Sequence, residues 1–83
     1  MVKEFKPSGV CSRKIVFEYE NGIMHNLHFE GGCNGNLKAI GRLCEGMELT
    51  KIYEILKGNT CGPRQTSCAD QLAEAIKEVI DNA

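Results

Sequence analysis

Lys14-Ile15-Val16-Phe17-Glu18-Tyr19-Glu20-Asn21-Gly22-Ile23-Met24-His25-Asn26-Leu27-His28-Phe29 is the stretch that decides the fold. Ile15, Phe17 and Tyr19 fall on one face of an extended chain, and Ile23, His25, Leu27 and Phe29 alternate in the next run. Asn21-Gly22 between them is a hairpin signal. A two-residue loop would pair Tyr19 with Met24 and set the two apolar faces on opposite sides of the sheet. A three-residue loop, Glu20-Asn21-Gly22 with Gly22 in the left-handed region, pairs Tyr19 with Ile23 and Phe17 with His25 and matches the faces. The expected hairpin therefore has strands over about 13–20 and 23–30 and this longer loop.

Downstream the pattern changes to helical spacing. Leu37, Ile40, Cys44 and Met47 form one stripe with Leu43 beside it, and Gly46 ends the segment. Leu49, Ile52, Tyr53 and Leu56 mark a second helix that stops at Lys57-Gly58. After the turn-rich run Asn59-Thr60-Cys61-Gly62-Pro63-Arg64-Gln65, Ser67 and Asp70 form a capping-box-like start to a last helix with Leu72, Ile76, Val79 and Ile80 on its stripe. The expected helices are about 35–45, 49–57 and 68–81, packed on the apolar face of a hairpin or small sheet. That is an α+β two-layer domain covering 1–83, with its core over about 9–81.

The 83 residues bound what such a fold achieves. A domain this short buries only about three-fifths of the surface its unfolded chain exposes, so a covalent or metal staple would help it. With 42% hydrophobic and 25% charged residues the composition is that of an ordered protein. Net charge is −1 and the Lys and Arg are scattered, which argues against a nucleic-acid strand as partner. No apolar run reaches the roughly 18 residues of a membrane span, and no signal-like segment opens the chain, so a cytoplasmic location is expected.

Five cysteines in so short a chain need a reason. A secreted disulfide scaffold would carry an even count behind a signal peptide; in a reducing compartment the same density points to metal binding or thiol chemistry. Cys11 precedes the first strand of the hairpin, Cys33 lies between the second strand and the first helix, Cys61 sits in the turn-rich run, and Cys68 opens the last helix. Cys33 and Cys68 are near helix N-termini, where the dipole and unpaired N–H groups favour thiolate. Gly31, Gly32, Gly35 and Gly62 permit close backbone approach, although Gly-Gly after a strand is by itself an ordinary turn. Cys11, Cys33, Cys61 and Cys68 thus form a candidate site for Zn(II) or an iron–sulfur cluster, without the close cysteine pairs of a zinc ribbon. For Cys11 the ligand reading and the buried-packing reading balance; Cys44, on the stripe with Leu37 and Ile40, is assigned to the core. His25 and His28, three apart on a strand, are expected on opposite faces and so form no ligand pair, with His25 at the edge of the core and His28 solvated. Asp70 reads as a helix-start residue, and no catalytic base is assigned.

Gly9-Val10-Cys11-Ser12, Phe29-Glu30-Gly31-Gly32-Cys33-Asn34-Gly35-Asn36, Leu56-Lys57-Gly58-Asn59-Thr60-Cys61-Gly62 and Thr66-Ser67-Cys68-Ala69-Asp70-Gln71-Leu72-Ala73 together resemble the TSCPD-domain family. Ala69 stands where the family motif has proline, and both residues suit a first helical turn. In that family the domain occurs alone and near the C-terminus of cobalamin-dependent ribonucleotide reductases. The resemblance therefore implies an accessory role beside a ribonucleotide reductase or another protein partner rather than the reductase activity itself. A homodimer sharing the site fits the same reading. More distantly, the order of Cys11, Cys33 and Cys68 is similar to that in U-type iron–sulfur scaffold proteins, with Arg13 where those carry aspartate and Ser67 where many carry histidine. Three functions compete on these grounds. The first is a cysteine-rich metal-binding accessory module. The second is a thiol redox protein using Cys61 and Cys68. The third is a nucleotide- or anion-binding regulator that uses Gly31-Gly32-Cys33-Asn34-Gly35 with Arg42 or Arg64.

Overall fold

The computed structural model describes residues 1–7, 9, 10, 12–31, 34–59 and 67–82, with the side chains of 34–36 excepted. Three strands precede three helices: β1 (Val2–Phe5), β2 (Ser12–Glu20), β3 (Ile23–Gly31), α1 (Asn34–Cys44), α2 (Leu49–Leu56) and α3 (Cys68–Asp81). The strands form one antiparallel sheet in the order β1-β2-β3, and the protein is an α+β domain as its patterning predicts. The two hairpin strands and all three helices fall within a residue of their expected bounds.

The hairpin register differs from the expected one. Glu20 pairs with Ile23 and Tyr19 with Met24, so the loop is the two-residue Asn21-Gly22, with φ of 53° and 76°. These left-handed values match the strand twist, and Asn and Gly are the residues that tolerate them. The face mismatch that argued against this loop is removed by a β-bulge. Pairing steps from Glu18 with His25 to Val16 with His28, so Asn26 and Leu27 together face the single position of Phe17. Asn26 itself has φ of 53°. The extra residue shifts the phase of β3, and Met24 before it and Leu27 after it both reach the core. It also corrects the histidines: His25 and His28 pair with Glu18 and Val16, two positions apart on β2, and so share the outer face of the sheet. His28 is exposed as expected, whereas His25 lies on the outer face against Glu45 rather than at the edge of the core.

A second bulge at the other end of β2 does comparable work. Ser12 pairs with Gly31 and Lys14 with Glu30, leaving Arg13 as the extra residue. Ser12 thereby joins Ile15 and Phe17 on the inner side and is 3% exposed, while Arg13 faces solvent. β1 adds a strand that the hairpin reading did not contain. Its Lys3 and Phe5 pair with Phe17 and Ile15, and Lys3 Nζ reaches Glu78 Oε1 of α3 at 2.7 Å.

The outer edge of β3 is covered by the α1–α2 connection. Met24 N–H donates to Met47 O, Gly46 N–H to Met24 O and Leu49 N–H to Gly22 O, at 2.8–2.9 Å. Glu45 completes the cover: its carboxylate accepts from Asn26 N at 2.8 Å and meets His25 Nδ1 at 2.7 Å. Next along the edge, α1 lies so close to β3 that a Cβ on Gly41 would stand 2.8 Å from Leu27 O. Only glycine permits that approach without displacing backbone.

Ile15, Phe17, Met24, Leu27, Cys44, Leu49, Ile52, Leu72, Ala75 and Ile76 make up the core. Leu43 departs from the helical stripe and is 75% exposed. Ala69 and Ala73, both buried, keep the first turns of α3 slim where the helix meets its neighbours. No described helix is long and apolar enough to cross a membrane.

Candidate functional site at the start of the last helix

α3 begins at a cap that the sequence announces. Ser67 is extended, with φ of −149° and ψ of 171°, and its Oγ accepts from Asp70 N at 3.1 Å. This satisfies one of the orphan N–H groups of the first turn. The same hydroxyl donates to Asn59 O, and Asn59 Nδ2 approaches it at 3.4 Å. Asp70 Oδ1 accepts from Gly58 N at 2.7 Å. Gly58, with φ of 76°, is the left-handed residue that follows α2. The end of α2 and the start of α3 are thus tied by two side chains, Ser67 and Asp70.

Cys68 is the first residue of α3 and is half-buried. Its Sγ lies 3.1 Å from Ser12 Oγ, across 56 positions of sequence. Either group can donate in the neutral pair; to a thiolate or metal-bound sulfur only the hydroxyl can. The bulge at Arg13 is what turns Ser12 inward to make this contact. The residue sequence reasoning missed is therefore Ser12. A lone serine at a strand start carries no signal, because its inward direction depends on a bulge that appears only when β2 and β3 pair.

Cys44 occupies the core as expected, 5% exposed, and burial pushes its thiol pKa up. A buried, protonated thiol is a packing group and a poor nucleophile or ligand. Cys11, Cys33 and Cys61 lie outside the described residues, as do Gly32, Gly62 and Arg64 of the expected site. Ser12, next to Cys11, pairs with Gly31, two residues before Cys33. Ser12 also touches Cys68, and Asn59, two residues before Cys61, is bonded to Ser67. The described residues Ser12, Gly31, Asn59, Ser67 and Cys68 are thus linked to one another at one end of the sheet.

Among the described residues no three of His, Cys, Asp and Glu gather closely enough to hold a metal. His25 is engaged with Glu45 at the opposite end of the hairpin. No curated protein and no solved structure matches the chain. The TSCPD-domain family model matches residues 1–80, nearly the whole length, and the chain belongs to the TSCPD-domain family.

Proposed function

We propose that the protein is a small metal-binding accessory module in which Cys11, Cys33, Cys61 and Cys68 hold Zn(II) or an iron–sulfur cluster. The observation that carries this reading is the 3.1 Å contact between Ser12 and Cys68, which joins the flanks of the cysteine-bearing segments at one end of the sheet. The donor chemistry fits the group. Cys68 is only half-buried, and its sulfur has a hydroxyl neighbour able to donate to it. Hydrogen bonds of that kind orient metal-bound thiolates and tune their basicity. Four thiolates suit zinc or a cluster; zinc would supply a structural cross-link, a cluster electron-transfer or carrier chemistry.

Within this reading Ser12 orients the Cys68 sulfur, and Ser67 and Asp70 fix the helix start that carries it. The staple is of use to a chain of 83 residues, whose limited core gains from a cross-link between β2, β3 and α3. The partner belongs to the same proposal: a ribonucleotide reductase or another protein, with the module accessory rather than catalytic.

A second reading rests on a separate observation. The Asn59–Ser67 bonds hold the start of the Cys61 segment against the residue before Cys68. Cys61 and Cys68 would then form a reversible disulfide, the two thiols giving up two electrons and two protons to an acceptor disulfide that is reduced to two thiols.

The deciding experiment is anaerobic purification with elemental analysis and an ultraviolet–visible spectrum, on the parent protein and on Cys33→Ser and Cys68→Ser. Stoichiometric zinc, or a cluster absorption band, lost in both variants supports the module. A folded, metal-free parent protein rejects it, and a Cys61–Cys68 link found by peptide mapping after mild oxidation would then favour the redox reading.

A further inference from the structure

A solvent-open groove of about 810 Å³ runs between β3 and α1. Volumes of roughly 300–1,000 Å³ are those of small-molecule sites. Leu27 and Leu37, both buried, and the half-buried Phe29 form its apolar base. Lys38 and Arg42, one helical turn apart on α1, stand on its helix side, and His28 on its strand side. Both cations are exposed, and among the described residues neither has an ion-pair partner. Among the described residues the one carboxylate lining the groove, Glu45, is already committed to Asn26 N and His25 Nδ1. The groove therefore presents two unspent positive charges above a hydrophobic base.

We propose that this groove is a binding site for a small organic anion, a phosphate or carboxylate carried on a ring-sized apolar body. Arg42 would grip the anionic group through its planar fork of donors, Lys38 would add a point charge, and the apolar body would lie over Phe29 and Leu37. An extended peptide is a poorer occupant. Strand addition needs a free β3 edge, and Gly41 seats α1 directly on the Leu27 carbonyl. The edge before it is already bonded to Glu45, Gly46 and Met47. Inorganic phosphate would use the cations and leave the base uncovered. Arg42 also lies in the last turn of α1, where a cation favours the helix dipole, and that role leaves its guanidinium free to bind.

The test is a titration of the full-length, 15N-labelled protein with phenyl phosphate, phenylacetate, inorganic phosphate and benzyl alcohol. Each is taken to about 10 mM, enough to fill most of a millimolar site. The expected result is that phenyl phosphate or phenylacetate shifts the amides of Leu27, Gly41 and Arg42, the tighter of the two identifying the anion. Inorganic phosphate and benzyl alcohol should bind at least about fivefold more weakly, as should the tighter probe to Lys38→Gln and Arg42→Gln, the scale of one partly exposed charged contact. Both variants should keep the parent's circular dichroism and metal content. The proposal is overturned if these amides do not shift, if inorganic phosphate or benzyl alcohol binds as tightly as the ring anions, or if both variants bind the tighter probe as the parent does.

Discussion

The two ends of the β2–β3 hairpin are held in different ways. At the turn end, Asn21 and Gly22 take the left-handed conformations of a tight loop, and the backbone of 46–49 bonds to Gly22 and Met24. Glu45 seals the Asn26 bulge there with two further bonds. At the open end the described links are side-chain contacts between distant segments: Ser12 to Cys68, Ser67 to Asn59 and Asp70 to Gly58. The turn end is consolidated by local backbone geometry. At the open end, among the described residues, three polar side chains, Ser12, Ser67 and Asp70, make the ties beyond the Ser12–Gly31 pairing, and under the proposed function a bound metal would add its largest increment of order there.

The contrast can be broken globally or sharpened at one end. Phe17 lies fully buried on β2 and serves both ends, so Phe17→Ala should cost about 3–5 kcal/mol in urea unfolding, with turn-end and open-end amides losing protection together. Separate loss at the two ends would show that they are not coupled through the core. Gly41→Ala should cost about 1–3 kcal/mol, because the added methyl would stand 2.8 Å from Leu27 O and push α1 off β3. Its amide shifts should centre on Leu27 and the Glu45 contacts and leave the start of α3 in place.

Ser67→Ala should cost about 1 kcal/mol through loss of the α3 cap, seen as faster exchange at the Asp70 amide while the Met24 amide is unchanged. The smallest effect is the pH response of Glu45. The Asn26 N–H first, and then the His25 side chain, hold its carboxyl below the usual glutamate range. A depressed folded-state pKa contributes stability above the unfolded value, lost as pH falls through the folded one. The Asn26 amide should therefore titrate with a midpoint below the ordinary glutamate value, and Glu45→Gln should abolish that transition. A midpoint at or above the ordinary value would mean that the bulge is not sealed by Glu45 in solution.

Sequence periodicity located the three helices well because their stripes rest on large aliphatic residues and their ends on Gly46, Gly58 and Ser67, each marked by local chemistry. The open-end cap was legible for the same reason, Ser67 and Asp70 being three residues apart. β1 was not, because its four residues carry Lys3 rather than an apolar residue on the inner face, opposite Phe17. The apparent alternation of Ile23, His25, Leu27 and Phe29 misled the register. It treats β3 as regular, whereas the bulge gives Met24 the buried place that Ile23 was assigned. The exposure of Leu43 shows the same limit: a residue beside a helical stripe is buried only if a neighbouring element covers it.

By itself the sequence determined what is local in this protein: the two hairpin strands and three helices, the position of the turn between Tyr19 and Ile23, the helix ends at Gly46, Gly58 and Ser67, and the family carried by its cysteine-bearing motifs. Tertiary structure alone decided the phase of β3, the inward turn of Ser12 onto Cys68, the Glu45 seal on Asn26 and the seat of Gly41 on Leu27 O. Periodicity and capping act within a few residues and leave a trace in residue order. Bulges, edge covers and close backbone contacts are set by which strands and helices meet, and no single segment encodes that choice.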